Sequence, residues 1–308
     1  MTPSAMSTEA PWLIVGAGAI GQLFAAYLAG HQTVVLLGRR PAAPTIFLRT
    51  PDGTDHQVAL QRKRMNDWVG NDAPSLVVLA TKAHDTQTAL DALTPRIAPT
   101  TPLLLLQNGF WSQPRISEHW AGPVLCATTT EAAYRPMSGT DRNPPDVIHA
   151  AVGETWIGDL GNRHPILATT IAERLTTAGM SAAPCEDIRQ RLWQKLAINA
   201  VINPLTAKHR ICNGELAKPE FRPRIEALVS EISQILQAEG VSPPGAGWQG
   251  LIDGVIRSPA ANRSSMLQDV LADRPTERDA ILYPLIEAAA RHGLDSPGIA
   301  ALYQTTPR

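Results

Sequence analysis

Apolar residues follow two different rhythms along the chain. In the first half, short apolar runs alternate with helical patterns. Trp12–Val15, residues 33–37, Leu76–Leu79 and residues 103–106 are nearly unbroken hydrophobic runs bounded by glycine or polar residues, as strands buried on both faces of a parallel sheet require. Between the first two, Leu23, Phe24, Tyr27 and Leu28 recur at helical spacing. Residues 124–130 read as a further strand. Val147–Ala151 and residues 154–157, separated by Val152-Gly153, read as a hairpin. Residues 166–178 then give a helix and 180–183 a last strand. Near Glu186 the rhythm turns wholly helical. Stripes at Ile225, Leu228, Val229, Ile232, Ile235 and Leu236, at Trp248, Leu251, Ile252, Val255 and Ile256, and at Ile281, Leu282, Leu285 and Ile286 predict three core-facing helices. The expected fold is α/β: a doubly wound, Rossmann-type sheet over residues 1–186, then an all-helical domain over 187–308, with a cleft between them as the ligand location.

One stretch of the helical half breaks the apolar pattern in an ordered way. From Leu192 to Pro204 the polar residues Lys195, Asn199 and Asn203 fall four apart among Leu192, Trp193, Leu196, Ile198, Val201 and Ile202. At 3.6 residues per turn they stack along one face of a helix otherwise apolar enough to be buried. A buried ammonium is costly without a partner, so this stripe has to face something polar. It fits a reactive site. It also fits a structural lysine snorkelling to solvent beside two loop-capping asparagines.

The start of the chain carries a nucleotide signature. After the first strand comes Gly16-Ala17-Gly18-Ala19-Ile20-Gly21, then a helix, then a second β-branched run. This is the context that a dinucleotide fingerprint needs. Gly16 permits the tight turn, Gly18 admits a pyrophosphate to the backbone, and Gly21 lets helix and strand approach. The anion sits at the helix N-terminus, where N–H groups are free. No acidic residue occurs between Gly21 and Asp52, and the second strand runs into Gly38-Arg39-Arg40. Two guanidinium groups suit a ribose 2′-phosphate, which predicts NADP(H) rather than NAD(H). Two later strands lead into Thr81-Lys82 and Gln107-Asn108-Gly109, placing Lys82 and Asn108 where ligands of such sheets bind; Asn108-Gly109 is equally a turn signal.

Composition narrows the partners. With 308 residues, 44% hydrophobic and 18% charged, and a formal net charge of -1, nothing favours nucleic acid or an anionic membrane. No apolar run reaches membrane-spanning length, and the first ten residues lack both a basic residue and an apolar core, so they read as a short disordered leader rather than a secretion signal. Cys126, Cys185 and Cys212 read as reduced core thiols of a cytoplasmic protein. None of the eight histidines sits in a metal-binding motif.

Two polar clusters remain. Taken alone, Asn262-Arg263-Ser264-Ser265 reads as a helix cap, and Glu277, after Thr276, as a carboxylate capping the third helix. In order, however, Gly16 to Gly21, Thr81-Lys82-Ala83, Gln107-Asn108-Gly109, the Trp193-to-Asn203 stripe, Ser264 to Asp269 and Thr276-Glu277 resemble the ketopantoate reductases, over essentially residues 13–303. The resemblance implies NADPH-dependent reduction of ketopantoate (2-dehydropantoate) to pantoate, on the route to pantothenate and coenzyme A. By the same resemblance Lys195 is the catalytic lysine and Glu277 the acidic residue beside it. Asn199 and Asn203 hold the substrate's hydroxyl end, Ser265 and Asn262 serve its carboxylate, and Asn108 lies at the cofactor–substrate junction. The cofactor set is Gly16, Gly18, Ala19, Ile20, Gly21, Arg39, Arg40, Lys82, Asn108 and Glu277. The chain would act as a monomer or homodimer. Tyr283 stands where the family commonly has glycine, and the loop 135–145 is longer than usual. The rival expectations are a reductase of another 2-keto acid and a non-catalytic NADP(H)-binding regulator.

Overall fold

The computed structural model describes residues 10–70, 73–136, 144–257 and 261–307, so most of the loop expected over 135–145 lies outside the described residues. The strands are β1 (Trp12–Val15), β2 (Val34–Gly38), β3 (Thr45–Arg49), β4 (Asp55–Ala59), β5 (Gln61–Arg64), β6 (Leu76–Leu79), β7 (Leu103–Leu105), β8 (Val124–Thr129), β9 (Ala132–Tyr134), β10 (Val147–Ala151), β11 (Thr155–Gly158) and β12 (Ala182–Pro184). The helices are α1 (Ala19–Leu28), α2 (Ala83–Leu93), α3 (Ser112–His119), α4 (Pro165–Thr177), α5 (Ile188–His209), α6 (Arg222–Ala238), α7 (Gly247–Arg257), α8 (Ser265–Leu271), α9 (Arg278–Arg291) and α10 (Pro297–Thr305). They fall into two compact units: residues 1–107 with 113–188, and residues 108–112 with 189–308.

In the first unit an eight-stranded sheet runs β12-β11-β8-β7-β6-β1-β2-β5. All pairs are parallel except β8 with β11. The chain leaves β1 in one direction, to β2 and β5, and returns on its other side with β6. The order therefore reverses between β1 and β6, where a doubly wound sheet opens a crevice at the carboxyl ends of its strands. Val15 and Leu79 are paired there, leading into Gly16 and Ala80. The central strands bury every side chain, which is why they read as unbroken apolar runs.

A second sheet, of order β4-β3-β10-β9, packs on α1, with Ile46, Leu48 and Val147 joining Phe24 and Leu28 in one core. It corrects the expected hairpin. β10 pairs with β3 and β9 in this sheet, whereas β11 pairs with β8 and β12 in the larger one. Val152-Gly153 is the passage between sheets rather than a turn. A Cβ on Gly153 would stand 2.2 Å from the Thr130 carbonyl carbon, and the Gly153 N–H donates to Glu131 Oε2 at 2.8 Å. The same carboxylate lies 2.7 Å from His149 Nε2, and His149 Nδ1 is 2.9 Å from the Tyr27 hydroxyl on α1. This Tyr–His–Glu chain, buried at His149 and Glu131, stitches the small sheet to α1 and to the connection after β8.

The second unit is helical. Trp193, Leu196, Val201 and Leu205 of α5 pack with Ile232 and Leu236 of α6, Ile252 of α7, Leu282 and Leu285 of α9, and Leu302 of α10. Each fully buried aliphatic side chain of this kind contributes roughly 1.5–3 kcal/mol relative to exposure. Among the described residues no helix is long and apolar enough to cross a membrane, and no group of histidine, cysteine or acidic residues could hold a metal ion. Of the three thiols only Cys126 is truly core; Cys185 and Cys212 are half-buried. Burial pushes the Cys126 thiol up to about 12.

Candidate active site

One candidate binding element, in the first unit, is the glycine turn after β1. Gly16 adopts a positive φ of 111°, and a Cβ there would meet the Ala80 carbonyl and the Thr81 nitrogen at 2.7 Å. Only glycine permits that approach to the end of β6. Gly21 is tighter still, since its Cβ would fall 1.9 Å from the Gly16 carbonyl oxygen. Gly18 caps α1 in an extended conformation without a side-chain cap, and the space where its Cβ would stand is open. The first turn of α1, from Ala19 through Ile20 and Gly21, therefore presents N–H groups that have no acceptor within the helix. It carries no acidic residue. A backbone cradle open on its ligand side, at the positive end of a helix, fits a dinucleotide diphosphate.

The two arginines follow directly. Gly38 lies against the turn, since a Cβ on it would stand 3.0 Å from the Ala17 side chain, so Arg39 and Arg40 leave the sheet beside the glycine turn. Both are exposed. Arg39 pairs at 3.5 Å with Asp85 in the first turn of α2, with 88% of its side chain exposed. So open a pair is worth under about 1 kcal/mol, and a phosphate can take its place. Asp85 is a neighbour the sequence did not disclose. Lys82, half-buried, caps α2 at the end of β6.

A separate polar cluster, in the second unit, is built on α5. Lys195 and Asn199 are half-buried and Asn203 is buried, on a helix whose other faces are packed. Opposite stands Glu277, 5% exposed, at the N-cap of α9. It does not cap that helix with its side chain, contrary to what its position alone suggests. Its Oε2 instead accepts a hydrogen bond from Asn108 Nδ2 at 3.2 Å, across 169 positions of sequence. Asn108 reaches it because residues 108–112 belong to the second unit. Gly109, at φ 85°, lies against the Ala280 backbone, where a Cβ would come within 2.1 Å of the carbonyl oxygen. Phe110 stacks on Trp193 at 4.9 Å. Burial pulls the Lys195 ammonium down from 10.5 to about 8, the nearby Glu277 charge opposing the fall.

The far end of the stripe is tied to α8. Thr206 Oγ1 donates to the carbonyls of Ile202 and Asn203 at 2.8 and 3.0 Å and lies 2.7 Å from Ser264 Oγ. Ser264 caps α8 by accepting from the Leu267 N–H at 3.0 Å, as its position before a helix predicts. Ser265 and Asn262 are exposed on either side of that cap. Within this unit a cation, a buried carboxylate and a row of amides and hydroxyls surround one face of α5. They can bind a small polar anion and deliver a proton.

Comparison with known proteins finds likeness over most of the chain. Residues 12–162 match the family profile described as ketopantoate reductase PanE/ApbA, and residues 187–306 match its C-terminal profile. A 2-dehydropantoate 2-reductase from Vibrio cholerae is 36% identical over 298 residues, covering 95% of each chain. Among solved structures, a PanE/ApbA family ketopantoate reductase from Ralstonia eutropha superimposes with a TM-score of 0.83 at 24% identity, covering 96% of both chains. A D-mandelate dehydrogenase solved with NADH and anilino(oxo)acetate superimposes with a TM-score of 0.84 at 20% identity, again covering 96% of both.

Proposed function

The chain belongs to the ketopantoate reductase family, and on that premise we propose how its residues reduce 2-dehydropantoate to pantoate. When bound, reduced nicotinamide would supply the hydride for the C2 ketone. The glycine turn of residues 16–21 holds the cofactor's diphosphate through backbone N–H groups. Arg39 and Arg40 hold a 2′-phosphate, which makes NADP(H) the working cofactor, and Lys82 and Asn108 border the nicotinamide side.

Lys195 is the proton donor. As the ketone becomes an alkoxide, the ammonium stabilises the growing negative charge and then transfers its proton to that oxygen. An ammonium held near 8 is still mostly protonated at neutral pH, yet gives up its proton more readily than an ordinary lysine. Glu277 orients it and balances its charge, while Asn108 holds Glu277. Asn199 and Asn203 hold the substrate's hydroxyl end; Ser265 and Asn262 serve its carboxylate. In this reading the residue 1–186 portion is the cofactor domain and residues 187–308 the catalytic one, and the enzyme works on a small metabolite in the cytoplasm.

The observation that carries the assignment is the half-buried Lys195 beside a buried carboxylate already bonded to Asn108. The test is the decay of NADPH absorbance on adding ketopantoate, run against other branched 2-keto acids. Ketopantoate should give the largest kcat/KM, and Lys195→Ala should lose kcat by orders of magnitude while still binding NADPH. Turnover within a few-fold of the parent protein would remove Lys195 from the chemistry.

A further inference from the structure

Thr276, Glu277 and Arg278 are three consecutive polar residues, all buried, with 7%, 5% and 6% exposure. Three buried polar side chains in a row need partners. Glu277 faces Asn108 and Lys195. Its two neighbours face elsewhere: Arg278 Nε and Nη2 both donate to the exposed Asp279 Oδ1, at 3.0 and 2.8 Å, and the other contacts of the two residues reach one segment of the chain. Thr276 Oγ1 donates to the Pro307 carbonyl at 2.7 Å, and Arg278 Nη1 donates to the Thr306 carbonyl at 3.4 Å. The Arg278 guanidinium also lies over the Tyr303 ring, 4.3 Å from its centroid, a geometry in which the ring face attracts the cation. The Arg278 N–H in turn donates to Thr276 Oγ1 at 3.3 Å.

The same aromatic ring belongs to a ladder that returns to Asn108. Tyr303 packs against Tyr283 at 6.2 Å, and Tyr283 packs edge-on against Trp111 at 5.1 Å. Trp111 lies three positions after Asn108. A closed circuit results: Asn108 to Glu277 by hydrogen bond, Glu277 to Arg278 along the backbone, Arg278 to Tyr303, Tyr283 and Trp111 through ring contacts, and Trp111 back to Asn108 along the backbone. Tyr283, the residue that departs from the family pattern, is the rung in the middle.

We infer that Thr276, Arg278, Tyr283 and Tyr303 are positioning residues for the reduction, fixing the Glu277 carboxylate and the Asn108 amide that holds it so that both stay against Lys195. None of the four touches the reacting atoms. They act through the backbone on either side of Glu277 and of Asn108. Over-determining a helix-cap side chain in this way is what keeps a catalytic group within a fraction of an ångström of its working place. The inference rests on the Lys195–Glu277 assignment above.

The test uses neutral substitutions, so that any electrostatic change at Lys195 comes from movement of Glu277. Thr276→Val and Tyr303→Leu are compared with the conservative Thr276→Ser and Tyr303→Phe, which keep the hydroxyl and the ring. The readouts are kcat against pH, KM for NADPH, and the unfolding midpoint. Displacing Glu277 removes a charge that holds the Lys195 proton on, so the alkaline limb of kcat should move to lower pH by half a unit or more. In the same variants kcat should fall about 10-fold with KM for NADPH changed less than about 3-fold. The conservative variants should restore both. A lower unfolding midpoint with an unmoved limb would overturn the inference, because a purely structural role predicts that result. Glu277→Gln serves as the reference. If it too leaves the limb in place, the Lys195–Glu277 assignment fails; if it moves the limb while Thr276→Val and Tyr303→Leu do not, only the positioning circuit fails.

Discussion

Replacing Lys195 by methionine is expected to abolish turnover and, at neutral pH, to make the second unit harder to unfold. The stabilisation follows from the depressed pKa. In the unfolded chain the amine titrates near 10.5, and in the folded protein near about 8. At about 1.4 kcal/mol per pKa unit, keeping that amine charged costs the folded state roughly 3 kcal/mol. Below pH 8 both states are protonated and the whole cost is present. Between 8 and 10.5 the folded state has released its proton and the unfolded state has not, so stability rises with pH. Above 10.5 both are neutral and the cost is gone. Methionine matches the lysine stem in bulk and carries no charge, so its stability lacks this rise. The attraction of the buried Glu277 is already contained in that shift, so the methionine variant should gain about 3 kcal/mol at pH 7. Denaturant titrations of both proteins from pH 7 to pH 10.5 measure the difference directly. The gap should be largest at pH 7 and close as the pH rises. A gap that ignored pH, or a methionine variant that was less stable throughout, would refute the claim that burial sets the properties of this lysine.

Arg39→Ala with Arg40→Ala should weaken NADPH binding about 30- to 1,000-fold while changing NADH less than about 3-fold, since each charge-assisted contact to a phosphate contributes about 1–2 kcal/mol at an exposed site; titration with the two cofactors reads this, and equal losses would separate the arginines from the 2′-phosphate. Gly21→Ala places a Cβ 1.9 Å from the Gly16 carbonyl oxygen, so α1 has to shift; stability should fall by about 1–3 kcal/mol and nucleotide affinity at least 10-fold, measured by unfolding and by fluorescence titration. His149→Phe breaks the chain between Tyr27 and Glu131 and should cost about 2–4 kcal/mol of stability with kcat preserved, because a buried carboxylate loses a partner that is outside the proposed catalytic set.

What was legible in the sequence and what was not divide along physical lines. The Lys195–Asn199–Asn203 stripe could be read because a helix turns a spacing of four into a face. The glycines of the first turn could be read because backbone crowding leaves no other residue type. Two polar strands could not: β4, of the small sheet, is Asp-His-Gln-Val-Ala and β5, of the large one, is Gln-Arg-Lys-Arg, strands held by main-chain pairing with no apolar alternation to announce them. β5 is the outer strand of its sheet, where charged side chains are common because they discourage further pairing. β10 and β11 were misread for the opposite reason. Each has strand-like sequence and only a short spacer separates them, but pairing depends on which neighbours compete for each edge. Glu277 was visible as a helix-start residue. That it faces Asn108 rather than its own helix depends on where residues 108–112 go, and spacing along the chain carries no such information.

Those five residues bear on how the protein is made. Asn108 to Ser112 are synthesised well before α5 and α9, yet their packing partners Trp193, Ala280 and Tyr283 lie there. A ribosome adding about 5–20 residues per second leaves this peptide waiting many seconds with its phenylalanine and tryptophan uncovered. The second unit therefore cannot mature as an independent C-terminal fragment: expressed from residue 189 onward, it would lack the plug that covers Trp193 and the amide that meets Glu277.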